Sequence, residues 1–279
     1  MEDLRLESKK KVLAVKDLPT LPQVLEEVSK LVEDPTVSTE KIANVISKDQ
    51  VLSAKVLKMV NSPIYGFPRR ISTIQHALVL LGFNVIKGLI ISTSVFDIMN
   101  KSMVGLWEHS LGCALAASTI AKTVGLKDPE EYAVGGLLHD LGKVIALVQL
   151  PELKKEVEEL VKKEDIPYYV AEKKVMGFGH DRINAWLADY WNLPLRLKEG
   201  LAWHHQIKSA QYYPEMAAVV HLADFITRVF EVGFAGDDHA SKLYPEACKI
   251  LKLSSKTFEA ILDELADEFL ELSGFNPEE

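Results

Sequence analysis

Two cysteines in 279 residues, Cys113 and Cys248, are too few to staple this chain. Each lies in an apolar helical pattern, so both read as buried free thiols of a reducing cytoplasm. β-branched residues in alternating runs are scarce from Leu18 to Asn100, which leaves little there to build a sheet. That first half also lacks a nucleophile beside a base, a glycine-rich phosphate loop and metal-ligand spacing, so it reads as a scaffold or a docking and sensing surface. No apolar stretch follows the charged start MEDLRLESKKK, so no secretory signal is expected. The apolar run Ala77 to Phe96 is broken by Asn84, Lys87 and two glycines, which suits a buried helix pair better than a membrane span. Excess positive charge is missing too. A net charge of -8 argues against unaided binding to a nucleic-acid polymer. Lys9-Lys10-Lys11 and Lys154-Lys155 are flanked by acids and belong on solvated helix faces. A soluble cytoplasmic protein is expected, with neither nucleic acid nor membrane as partner.

What is there is helical. Hydrophobic residues make up 48% of the chain, enough for a sizeable core. The expected fold is all-α. Thr20 and the proline after it start a helix with Leu21, Val24, Leu25, Val28 and Leu31 on one face, and Pro35 stops it. Ser38 or Thr39 caps the next, and a third follows Asp49. NSPIYGFPRR is a loop; Ser72 or Thr73 then caps STIQHALVLLGF, and Asn84 to Met99 continues helical. The polar, small stretch NKSMVG marks the boundary between a bundle at 1–101 and a second unit at 102–279.

The second unit carries the chemistry. His109 lies on a helix rich in small residues. GGLLHDLGK places His139 and Asp140 after two glycines that clear bulk beside them, with Lys143 four residues after His139, and Gly142 is a candidate bend. His180 opens a helix with Ile183, Leu187 and Trp191 as its buried stripe. His204 and His205 end another helix, and Asp224 lies among Leu222, Phe225, Ile226 and Val229. Any one of these histidines alone is a structural residue. Together they are a set of imidazoles and carboxylates that burial leaves short of partners, and a divalent cation is one partner that would satisfy all of them. His221 is a candidate to support Asp224, Glu172 to support a ligand; His76 is a packing or surface residue and His239 an exposed one.

The run from Ile46 to Gly82, with Asn61-Ser62 after a helix and a later Leu81-Gly82, resembles the HDOD family, the bacterial HD-related output domain, from Leu18 to the mid-220s. The order His109, His139-Asp140, Asp224 is similar to the metal-dependent phosphohydrolases of the HD superfamily. His180, His204 and His205 match the additional ligands of its HD-GYP branch, which hydrolyses cyclic di-GMP at an iron centre. The resemblance implies an N-terminal regulatory or docking bundle packed on an HD-type domain. It also implies two divalent transition metals. His109, His139, Asp140 and Asp224 would hold one; Asp140 would bridge to a second, held by His180, His204 and His205. Iron is the first choice, and nitrogen and oxygen donors without sulfur also suit manganese, zinc, nickel or cobalt. Such a pair would make hydroxide available at neutral pH, with Asp140 and Lys143 as the catalytic residues and Lys143 on a phosphate oxygen. One departure stands out: Tyr212 replaces the glycine of the Gly-Tyr-Pro signature, although Tyr213-Pro214 follow. The expected activity is therefore hydrolysis of a phosphodiester or nucleotide, substrate undefined. The alternative is a non-catalytic signalling module that holds metal structurally and contacts a protein partner through its N-terminal bundle.

Overall fold

A computed structural model describes residues 2–14, 23–32, 36–240 and 242–272. Among them every regular element is a helix and no strand occurs. The first five are α1 (Glu2–Leu13), α2 (Gln23–Val32), α3 (Thr39–Ser47), α4 (Gln50–Val60) and α5 (Ile74–Ser102). Then come α6 (Leu106–Thr123), α7 (Pro129–Leu138), α8 (Leu141–Gln149), α9 (Pro151–Glu164), α10 (Tyr168–Met176) and α11 (His180–Tyr190). The last are α12 (Leu195–Trp203), a short 3-10 turn at Ile207–Ser209, α13 (Pro214–Val229), α14 (Pro245–Ile250) and α15 (Ser255–Leu272). The helix start at Thr20 and the stop at Pro35 lie outside the described residues.

The caps follow the chemistry of the sequence. Ser38 accepts a hydrogen bond from the Lys41 amide, Asp49 from Leu52 and Thr73 from His76, each satisfying an amide that the first helical turn leaves without a partner. In the loop after α4, the Asn61 side chain accepts from the Ile71 amide at 2.7 Å and donates to the Ile71 carbonyl at 2.8 Å. That two-way clasp closes the Asn-Ser-Pro loop on itself. Helix α5 breaks at Gly82, whose φ of 76° is one that a side chain would strain. The break lets one continuous segment change direction, packing on α3 and α4 and also on α6, α7 and α8.

By length and hydropathy α5 could cross a membrane, yet Val85 to Phe96 are buried inside the protein, as in a core helix. Helix α6 is buried along most of its length and packs on α7, α13 and α15. At the other end of the sequence α1 lies against α8 and α11. The sequence YAVGGLLHDLGK does not form one unbroken helix: α7 ends at Leu138 and α8 starts at Leu141, so the interruption falls on His139-Asp140 and not on Gly142.

Candidate metal centre

The break places the His-Asp pair. Asn184 on α11 donates to the His139 carbonyl and accepts from the Gly142 amide at 2.7 Å, replacing the helical bonds lost there. Gly136 brings α7 against α6: a Cβ at that position would lie 2.3 Å from the Cys113 carbonyl oxygen. Backbone cannot yield as a flexible side chain does. Gly136→Ala is expected to destabilise the protein by about 3 kcal/mol, visible as a lower urea midpoint at unchanged slope.

From these supports His109 (α6), His139 and Asp140 (the α7–α8 junction), Lys143 (α8), His180 (α11), His204 and His205 (the end of α12) and Asp224 (α13) converge on one locus, all buried except the half-buried His205. The two oxygens of Asp140 face different imidazoles. Oδ2 lies 3.4 Å from His139 Nε2 and 3.8 Å from His109 Nε2, while Oδ1 lies 3.1 Å from His180 Nε2. Asp224 Oδ1 is 3.2 Å from His109 Nε2 and 3.7 Å from His139 Nε2. His180 Nε2 is 3.3 Å from His204 Nε2 and 3.1 Å from His205 Nε2.

Three of the rings have their tautomers set from behind. His139 Nδ1 donates to the Gly136 carbonyl at 2.7 Å, His204 Nδ1 to the Leu201 carbonyl at 3.1 Å, and His180 Nδ1 to Glu172 at 2.6 Å. In the neutral ring, a proton held on Nδ1 leaves Nε2 as a bare lone pair. His180 Nε2 then meets His204 Nε2, His205 Nε2 and Asp140 Oδ1, all acceptors unless protonated. One proton can serve one such contact; a cation serves all four atoms. On the other side the fully buried His139 Nε2 faces Asp140 Oδ2 and Asp224 Oδ1 without a well-formed hydrogen bond to either. These donors fit a divalent metal.

Electrostatics agree. Burial would raise the Asp140 and Asp224 carboxyls, but His139 and Lys143 hold Asp140, and Arg228 and His109 hold Asp224, well below the usual carboxylate range. Burial pushes His139 down, and Asp140 and Asp224 outweigh it, raising this imidazole to about 9. Burial next to other imidazoles drives His204 and His205 well below their ordinary value, and burial also lowers His109. Lys143 has no spare contact: its Nζ donates to Asp140 Oδ2 and the Ala235 carbonyl, both at 2.7 Å, and faces the Tyr168 ring.

Several participants were not singled out from sequence. Arg228, one helical turn after Asp224, pairs with it at 2.7 Å and is itself nearly buried. Asn184 is one turn after His180. Cys113 is one turn after His109, its sulfur 3.5 Å from His109 Nε2, so a sulfur donor does stand among the nitrogen and oxygen donors. A partner at i+4 from each ligand is the signal that finds all three. Glu172 is buried and receives both the amide and the ring of His180. His221 does not reach the centre; its Nε2 accepts from the Tyr244 amide. His76 is on the surface, and His239 is half-exposed beside Asp165. The Tyr-Tyr-Pro segment is structural: the buried Glu199 carboxylate accepts from the amides of Gln211, Tyr212 and Tyr213, and Pro214 opens α13, which carries Asp224.

Over the His109 side runs the loop 230–240, tied down by Phe234 N to the Gly105 carbonyl and by Arg228 to the His239 carbonyl. A cavity of about 520 Å³ touches His109 and Arg228 from outside, and one of about 310 Å³ touches His205, Gln206 and Lys208.

Residues 18–207 match the HDOD domain. An uncharacterized protein of Treponema pallidum (strain Nichols) is 28% identical over 223 residues, covering 78% of this chain and 43% of that protein. The chain spans less than half the length of the curated relatives it matches. A crystal structure of an HDOD domain protein of unknown function from Geobacter sulfurreducens is 28% identical. It superposes with a TM-score of 0.65 over 98% of this chain and 94% of that one. A protein of Shewanella amazonensis SB2B, provisionally named a metal-dependent phosphohydrolase, is 18% identical with a TM-score of 0.60, covering 98% and 100%; at that identity the likeness shows the fold. With the fold shared along the whole length and the domain matched over most of it, the chain belongs to the HDOD family.

Proposed function

We propose that this chain is a signal-transduction module whose HD-type centre holds two divalent transition metals, iron first among them, in a closed, non-catalytic state. The N-terminal bundle then carries the state of the centre to a partner protein. The observation behind this reading is enclosure. His109, His139, Asp140, His180, His204 and Asp224 are all at most 1% exposed, and Lys143 is committed to Asp140, Ala235 and Tyr168, with none of its reach toward a phosphate. His109, His139 and Asp224 would hold one metal, His180, His204 and His205 the other, with one oxygen of Asp140 toward each.

Glu172 fixes the ring of His180 and increases its basicity through a charge-assisted bond. Glu172→Gln is expected to weaken metal binding at the His180 side by about 10- to 100-fold, measured by competition with a chromophoric chelator.

A metal-dependent phosphohydrolase acting on a phosphodiester or nucleotide is the second reading, favoured by the complete ligand set and by the cavity that meets His205. A metal pair there would lower the pKa of a water between them and draw in phosphoryl oxygens. Lys143 would have to leave Ala235 to join in, so the loop 230–240 would have to move. Anaerobic purification, elemental analysis and a panel of phosphodiesters and nucleotides separate the two. Near-full metal with no turnover is the expected result; turnover lost in Asp140→Asn would move the assignment to the enzyme.

A further inference from the structure

We infer that Cys113 is a metal ligand, supplying a thiolate to the position shared by His109, His139 and Asp224. This rests on the metal-binding reading above and goes beyond its ligand set. One ligand atom from each of His109, Cys113, His139 and Asp224 lies within 4.8 Å of the other three, and all four residues are buried. The sulfur is 3.5 Å from His109 Nε2. Neighbouring donors around one ion, with metal–nitrogen bonds near 2.1 Å and a metal–sulfur bond near 2.3 Å, stand about 3 to 3.5 Å apart. The second observation is independent of the cysteine: His139 Nε2, at 0% exposure and without a hydrogen bond, is aimed into the same group. Gly136 is the reason the sulfur is near it, since the missing Cβ lets α7 press on the backbone of Cys113 itself.

On coordination the S–H proton leaves to solvent and a sulfur–metal bond takes its place; no electron changes hands. With Asp140 Oδ2 facing the same position, the sulfur is a fifth protein donor, which makes this position structural and leaves any exchangeable position to the His180 side. The sulfur also biases the site toward zinc, iron or cobalt over manganese or magnesium.

Cobalt(II) added anaerobically to the metal-free protein tests this. A thiolate-to-cobalt charge-transfer band in the near ultraviolet is expected. It should be absent in Cys113→Ser, retained in Cys248→Ser, and saturate with the first cobalt bound at this position. X-ray absorption of the zinc-loaded wild type, which needs no variant, should show a zinc–sulfur distance of about 2.3 Å. Cobalt bound by elemental analysis without that band, or zinc bound without sulfur, would overturn the thiolate assignment and leave the metal centre standing. Failure to bind either metal would overturn both.

Discussion

Asparagine in place of Asp140 is expected to leave the protein with no more than half its metal, and to lower its melting temperature even before metal is added. The first effect follows from the two carboxylate oxygens, which face His180 on one side and His109 and His139 on the other. An amide cannot serve both positions, because its nitrogen is a donor aimed at a cation. The second effect comes from Lys143. Its ammonium, with 0% exposure, is neutralised by Asp140 Oδ2 at 2.7 Å; the Ala235 carbonyl and the Tyr168 ring supply only dipole and quadrupole. Breaking a buried ion pair on one side costs about 3–5 kcal/mol, because the other charge stays behind in low dielectric. For a chain of this size that is a fall of about 10 °C. Lys143→Met added to Asp140→Asn should recover most of the melting temperature and none of the metal. Elemental analysis and thermal denaturation together therefore separate charge balance from coordination. An Asp140→Asn protein with full metal would remove the carboxylate from its place between the two positions.

The same pair shows what sequence can and cannot convey. Histidines and aspartates scattered from His109 to Asp224 were legible as a set because each sits in an apolar helical context where an unpartnered polar group is costly. The caps at Ser38, Asp49 and Thr73 were legible because they depend on the next three residues only. The break at His139-Asp140 was not, because what stabilises it is Asn184, more than 40 positions away, taking over the backbone bonds. Cys113 reads as core from its neighbours, and it is core; only the arrival of α13 and the α7–α8 junction turns its sulfur toward imidazoles. Lys143 reads as a phosphate-binding lysine until the loop 230–240 brings the Ala235 carbonyl onto it. Local chemistry fixes the candidates; distant chain fixes which of them face each other and which face solvent.

Stability of the metal-free protein is expected to fall with pH between about 6.5 and 9, and that of the metal-loaded protein to stay nearly level. In the metal-free state His139 holds its proton up to about 9, against 6.5 in an unfolded chain, because Asp140 and Asp224 outweigh burial. The folded state therefore binds the extra proton between those values, and the stabilisation from it, complete below 6.5, is lost as pH rises through 9. His204 and His205, driven well below their ordinary value, act the other way. Their contribution is lost as pH falls through the unfolded value, so metal-free stability peaks near 6.5. Saturating metal cancels the slope above that point. It must displace the His139 proton, so affinity rises about tenfold per pH unit up to 9. At a metal concentration of 1,000 times Kd the bound ion adds about 4 kcal/mol. Melting temperature against pH, with chelator and with saturating zinc, reads both slopes. Calorimetry at pH 7 in phosphate and in Tris counts the protons released: one from His139, and a second from the Cys113 thiol if sulfur coordinates. Zero release would mean that His139 is not displaced, and the His109 side would lose its central ligand.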